Sequence, residues 1–73
     1  MTFKEFVQFM ASDEVKENIT SIELIAFRMN FEVFKYIASD EVRERVWQER
    51  YKEKTMQDLV IPIKKRLELK SNG

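Results

Sequence analysis

Seventy-three residues with 13 basic and 13 acidic side chains, no Cys and no His fit one small domain, and they exclude disulfides, thiolate or histidine catalysis and zinc sites of the usual kind. The balance of charge hides an asymmetry: residues 1–42 carry four basic and eight acidic groups and residues 43–73 carry nine and five, so the halves stand at −4 and +4. A single Pro, a single Gly at the C-terminus and no apolar run long enough to span a bilayer argue against tight hairpins and membrane insertion, and for helices joined by short polar breaks.

The first helix is predicted over residues 3–11. Thr2-Phe-Lys-Glu5 has the form of a capping box, in which hydroxyl and carboxylate satisfy the free donors of a first turn. Phe6, Phe9 and Met10 are its expected buried face. Thr20-Ser-Ile-Glu23 repeats the form and opens a second, unusually apolar helix, with eleven apolar residues in the sixteen from Ile22 to Ile37. At 100° per residue they fall on two sides. Ile22, Ala26, Met29, Val33 and Tyr36 make one stripe; Leu24, Phe27, Phe31 and Phe34 make another roughly 160° away. Glu23 and Asn30 separate the stripes on one side, and Arg28, Glu32 and Lys35 on the other. A helix apolar on two faces is either the middle of a bundle or packed between its own domain and a partner.

Ser39-Asp-Glu offers an N-cap and first-turn acids for a third helix starting near Asp40. It runs through Val42, Val46, Trp47 and Tyr51 to about Lys54. Pro62 is expected to end or kink what precedes it. Residues 63–70 read as a further charged helix with Leu67 inward, although the alternation in Leu67-Glu-Leu-Lys70 leaves a strand open. The segment 55–73 is thus expected to extend from the bundle. An internal echo, Met10-Ala-Ser-Asp-Glu-Val-Lys-Glu17 against Ile37-Ala-Ser-Asp-Glu-Val-Arg-Glu44, recurs at an offset of 27 residues. It reads either as a duplicated helix-turn unit or as convergence on good capping chemistry.

The fold expected is all-α, a bundle of three to four helices around the two-faced helix. Chemistry is sparse. The acid pairs Asp13/Glu14 and Asp40/Glu41 sit where capping already explains them, Glu68-Leu-Lys70 lacks the sheet and upstream acid that metal-dependent nucleases need, and no Gly-rich phosphate loop occurs. No enzyme activity, cofactor or metal is expected. Trp47 and Tyr51 lie among Arg43, Arg45, Arg50, Lys52 and Lys54, a combination that suits base stacking and phosphate pairing, but Glu44, Glu49 and Glu53 interleave with the cations and would repel a phosphate backbone. On a regular helix Trp47 and Tyr51 point away from the stripe of Val42, Val46, Val60 and Leu67. Trp, Tyr and Arg often anchor protein interfaces. The protein-binding residues expected are therefore Phe27, Phe31, Phe34, Arg43, Trp47, Arg50 and Tyr51, with core packing the alternative for the aromatics.

Phe6-x-x-Phe9-Met10, then Ile25 to Ile37, then Ser39-Asp40-Glu41, Arg43, Arg45, Trp47-Gln48-Glu49-Arg50 and Lys52 follow one another at separations that resemble the helical segment after the nuclease core of the Rpn family of recombination-promoting nucleases. That family is also called PD-(D/E)XK nuclease family transposases. The resemblance covers residues 6–54, departs at Pro62, and includes none of the nuclease residues. It implies a stand-alone relative of a regulatory or oligomerisation segment, such as an antitoxin-like inhibitor of a nuclease or defence enzyme. The partner class expected is thus a protein, with a homodimer also expected, in the cytoplasm and without a membrane. The rival is a small DNA- or RNA-binding regulator using the basic and aromatic third helix.

Overall fold

Two capping boxes set the register of the N-terminal half. The computed structural model describes residues 1–72, with side chains through Lys70. Helix α1 (Phe3–Ala11) starts at Thr2, whose hydroxyl accepts from Glu5 N while Glu5 accepts from Thr2 N at 2.8 Å. Helix α3 (Ser21–Phe31) repeats this at Thr20 and Glu23. Between them lies the short α2 (Asp13–Asn18), capped by Ser12. After α3 the chain tightens into a 3₁₀ turn, Glu32–Tyr36. The two copies of the echoed motif cap alike, Ser12 on Val15 N and Ser39 on Val42 N, each at 3.3 Å. Their helices then diverge: the first ends at Asn18, and the second begins the longest helix of the fold. Among the described residues the chain is 89% helical with four helices and no strand.

That fourth helix, α4, runs over residues 40–72 without a break. It is α-helical at Asp40–Val46, Lys52–Thr55 and Ile61–Asn72, with π-helical turns at Trp47–Tyr51 and Met56–Val60. Two expectations are corrected here. The helix does not stop near Lys54, and Pro62 does not end it. In a regular α-helix the proline ring would strike the carbonyl of Asp58, but the widened turn Met56–Val60 contains that residue and ends two positions before the proline. Helix also replaces the strand alternative for residues 67–70, and Gly73, the end of the predicted extension, lies outside the described residues.

The π turns follow from the spacing of apolar side chains. Trp47, Tyr51, Thr55, Leu59, Ile63 and Leu67 recur every fourth residue, and all are buried or half-buried. In a regular α-helix a four-residue step overshoots the turn by about 40°, so five steps would carry Leu67 about 200° around from Trp47. Each π turn accommodates one extra residue, about 100° of rotation. Two of them cancel the drift and hold the series on one face.

The core is aromatic. Trp47, fully buried, stacks on Phe6 at 4.7 Å between centroids, and Phe3 stacks on Phe34 at 4.6 Å. Phe31 sits at 4.9 Å from Phe6 and 5.7 Å from Tyr51. Two polar contacts fix α1 to α4: the indole Nε1 donates to Met1 O at 3.0 Å, and Glu44 accepts from Phe3 N at 2.7 Å. A third clamp closes the far end. Arg66 reaches across to Glu23, Nη1 to Oε1 at 2.9 Å and Nη2 to Oε2 at 3.2 Å, and also donates to Asn18 O at the C-terminus of α2. Burial acts to raise the Glu23 pKa, but the hydrogen bonds from Arg66 and Thr20 outweigh it and hold the carboxyl below the ordinary glutamate value of 4.5.

Deleting the exposed Glu49 should let the first π turn relax to ordinary α-helix with the downstream face unchanged, leaving the melting temperature within a few degrees. The same deletion at Lys65, in an α-helical stretch, turns Arg66 and Leu67 by about 100° away from Glu23 and the core and should lower it clearly. Because the Glu23 carboxyl titrates lower in the folded chain than in the unfolded one, its contribution is present above the ordinary glutamate value and is lost as pH falls through the folded one. Thermal melts from neutral pH into the acid range should therefore fall more steeply for the native sequence than for Glu23→Gln.

Candidate protein-docking site

Helix α3 is held by its aromatic side and, at its start, by the Glu23–Arg66 clamp. Phe31 and Phe34 are buried and Phe27 is half-buried, packed against Phe6, whereas the opposite side of the helix faces out. There Ile22 is 81% exposed, Ile25 57%, Met29 73%, Val33 46% and Tyr36 80%. The two stripes read from the sequence are thus physically distinct. The phenylalanine stripe is core, and the Ile22–Tyr36 side is surface. Phe31 and Phe34, expected as docking residues, are core: their rings pack on Phe3, Phe6 and Trp47, and they meet the surface only as groove lining.

Grooves run along both flanks of α3. One, of about 380 Å³, lies between α3 and α4, with Phe27, Phe31, Tyr51 and Leu59 at its apolar floor and Arg50, Lys54, Asp58 and Glu23 among its polar lining. The other, of about 280 Å³, is lined by Phe3, Phe6, Val7 and Phe34, with Lys35 and Arg43 beside them. Of the residues singled out in the sequence, Arg50 and Tyr51 line the first groove, Phe34 and Arg43 the second, and Phe27 and Phe31 both. Trp47 lies beneath, with no exposed surface, and is corrected from interface anchor to core. An outward projection of Trp47 holds only for a regular helix, and the π turn that begins at Trp47 changes that geometry.

The cations of α4 are partly neutralised within the helix. Arg43 Nη1 pairs with Asp40 at 3.0 Å while its Nε is buried without a hydrogen-bond partner, and Arg45 stands 4.0 Å from Glu41. Among the described residues no cluster of acidic side chains is arranged to hold a metal ion, and no helix is long and apolar enough to cross a membrane. Sequence reasoning missed Ile25, which completes the exposed side of α3, and Thr55 and Leu59, which complete the first groove. The four-residue recurrence from Trp47 to Leu67 was the available signal for the last two. Comparison with protein-family models, with curated proteins and with solved structures returned no match for the chain.

Truncating Trp47 to Ala should cost about 3–5 kcal/mol, as for a large core aromatic, and threaten folding of so small a domain. Met29→Asp removes no contact from the chain's own core and should leave the circular dichroism spectrum that of a folded helical protein. A stable Trp47→Ala variant would take Trp47 out of the core, and an unfolded Met29→Asp variant would reverse the assignment of the two sides of α3.

Proposed function

We propose that this chain is a non-catalytic protein-binding module that presents the outer side of α3 to a protein partner. The observation that carries the reading is the run of five large apolar side chains, Ile22 to Tyr36, left 46–81% exposed on one helix of a small domain. Monomeric proteins seldom leave so continuous an apolar strip in water, and helices with such a strip commonly lay it against another protein. The flanking grooves add recesses for a partner's side chains. In its specific form the reading is an inhibitor or antitoxin-like regulator of a nuclease or defence enzyme, supported by the sequence resemblance to the helical segment of the Rpn nucleases.

The nucleic-acid alternative has lost its stacking platform, since Trp47 is buried and Tyr51 half-buried against Phe31 and Phe34. Acidic Glu49, Glu53 and Asp58 stand beside the remaining cations Arg50 and Lys54, which weakens any phosphate track.

The test is a DNA-cleavage assay with an Rpn-type nuclease, run with and without the purified chain. The expected result is suppressed cleavage by the native sequence, and loss of suppression by a folded Ile25→Asp variant. Unimpeded cleavage, with no complex detected by calorimetry, would reject the inhibitor reading. A DNA or RNA gel shift that weakens steeply with salt would favour the regulator instead.

A further inference from the structure

We infer that the occupant of the outer side of α3 is a second copy of this chain, its α3 lying antiparallel to the first across a two-fold axis at Met29. The inference rests on the proposal that this side is a docking surface, and names its partner. The spacing of the exposed residues is palindromic. Ile22, Ile25, Met29, Val33 and Tyr36 are separated by three, four, four and three positions. Turning one copy end for end about Met29 sets Ile22 against the second copy's Tyr36, Ile25 against its Val33, and Met29 against itself. No apolar residue of the strip is left facing water or a charge. In the 3₁₀ turn Glu32–Tyr36 residues three apart eclipse, so Val33 and Tyr36 share one line at the edge of the strip.

The charges beside the strip do not repeat its palindrome, but two of them come together across the axis. Arg28 and Glu32 each immediately precede a strip residue, Met29 and Val33, and so flank it on one edge. In the antiparallel arrangement the edge of one helix lies beside the same edge of the other, which puts Arg28 of each copy about two residue heights from Glu32 of the other, twice over, and equally far from the other Arg28, so two attractive pairs stand against one repulsive pair. Among the described residues neither group forms an ion pair within its own chain. An unrelated partner needs only an apolar groove and places no demand for self-complementarity on this helix; an isologous two-fold contact demands it. The area also suffices. At their observed exposures the five side chains carry roughly 700 Å² of accessible surface, close to the ~800 Å² per partner of a standard interface.

The chain has no cysteine, so introduced thiols report the register directly. Met29→Cys should form an intermolecular disulfide under mild oxidation, because the two thiols meet at the axis. Ile22→Cys alone should not, since its mate lies roughly 20 Å along the helix, whereas Ile22→Cys combined with Tyr36→Cys should. By sedimentation equilibrium the native chain should be a concentration-dependent dimer. Arg28→Glu should weaken it about tenfold by turning both flanking pairs repulsive, and adding Glu32→Arg should restore it. A folded native chain that stays monomeric at millimolar concentration, or equal crosslinking of Met29→Cys and Ile22→Cys, overturns the inference. If the native chain is monomeric while Ile25→Asp still abolishes nuclease inhibition, the second copy is wrong and the docking side stands. A dimer unaffected by Ile25→Asp overturns the inference, and removes the docking side as well if nuclease inhibition is also unaffected.

Discussion

The structure depends on how one indole is satisfied. Trp47 has no exposed surface, so its ring nitrogen needs a partner inside the protein, and the carbonyl of Met1 supplies it. That bond brings the start of α1 over the middle of α4, where Phe6 stacks on the indole and Glu44 receives the first free amide of α1 at Phe3. Phe3 and Phe6, once seated, offer the faces on which Phe31 and Phe34 settle. Each aromatic layer is thus placed by the one before it. Because α3 is attached through these rings and by Glu23 at its start, rather than by a full seam of interlocking aliphatic side chains, it stands proud of α4 with a groove on either flank.

Local chemistry made the beginnings of helices legible. Thr2, Thr20 and Ser39 cap where their sequence context predicts, and both capping boxes form completely. These signals are contained within four residues, so nothing distant can override them. The choice between the two sides of α3 was not legible for the opposite reason. Ile22, Met29 and Val33 are as apolar as Leu24 and Phe27, and hydrophobic period alone ranks them equally. What separates them is stacking: flat rings on α1 and at Trp47 match the flat rings of Phe27, Phe31 and Phe34, a preference that exists only once residues sixteen or more positions apart are brought together.

The same distinction explains the errors on α4. Reading it at a fixed 3.6 residues per turn put Trp47 and Tyr51 on the solvent side and made Pro62 a terminator. Two widened turns change the phase, and they are present because a four-residue recurrence of buried side chains outweighs the hydrogen-bond regularity of the backbone. Part of the charge asymmetry between the halves also has an internal use, since Arg66 from the basic half closes on Glu23 from the acidic half. The grooves required knowledge of what α3 leaves uncovered, which no single segment encodes.

The clamp between Glu23 and Arg66 joins residues 43 positions apart. In a chain emerging from the ribosome α1, α2 and α3 therefore all come out ahead of the residue that fastens the start of α3, and ahead of the indole at position 47 that organises the aromatic layers. Until then both apolar sides of α3 are open to water. The interval is a window of vulnerability in which neighbouring nascent chains on one messenger could join through the wrong side, and the exposed charges Arg28, Glu32 and Lys35 along α3 and its 3₁₀ turn are what keep that helix soluble while it waits.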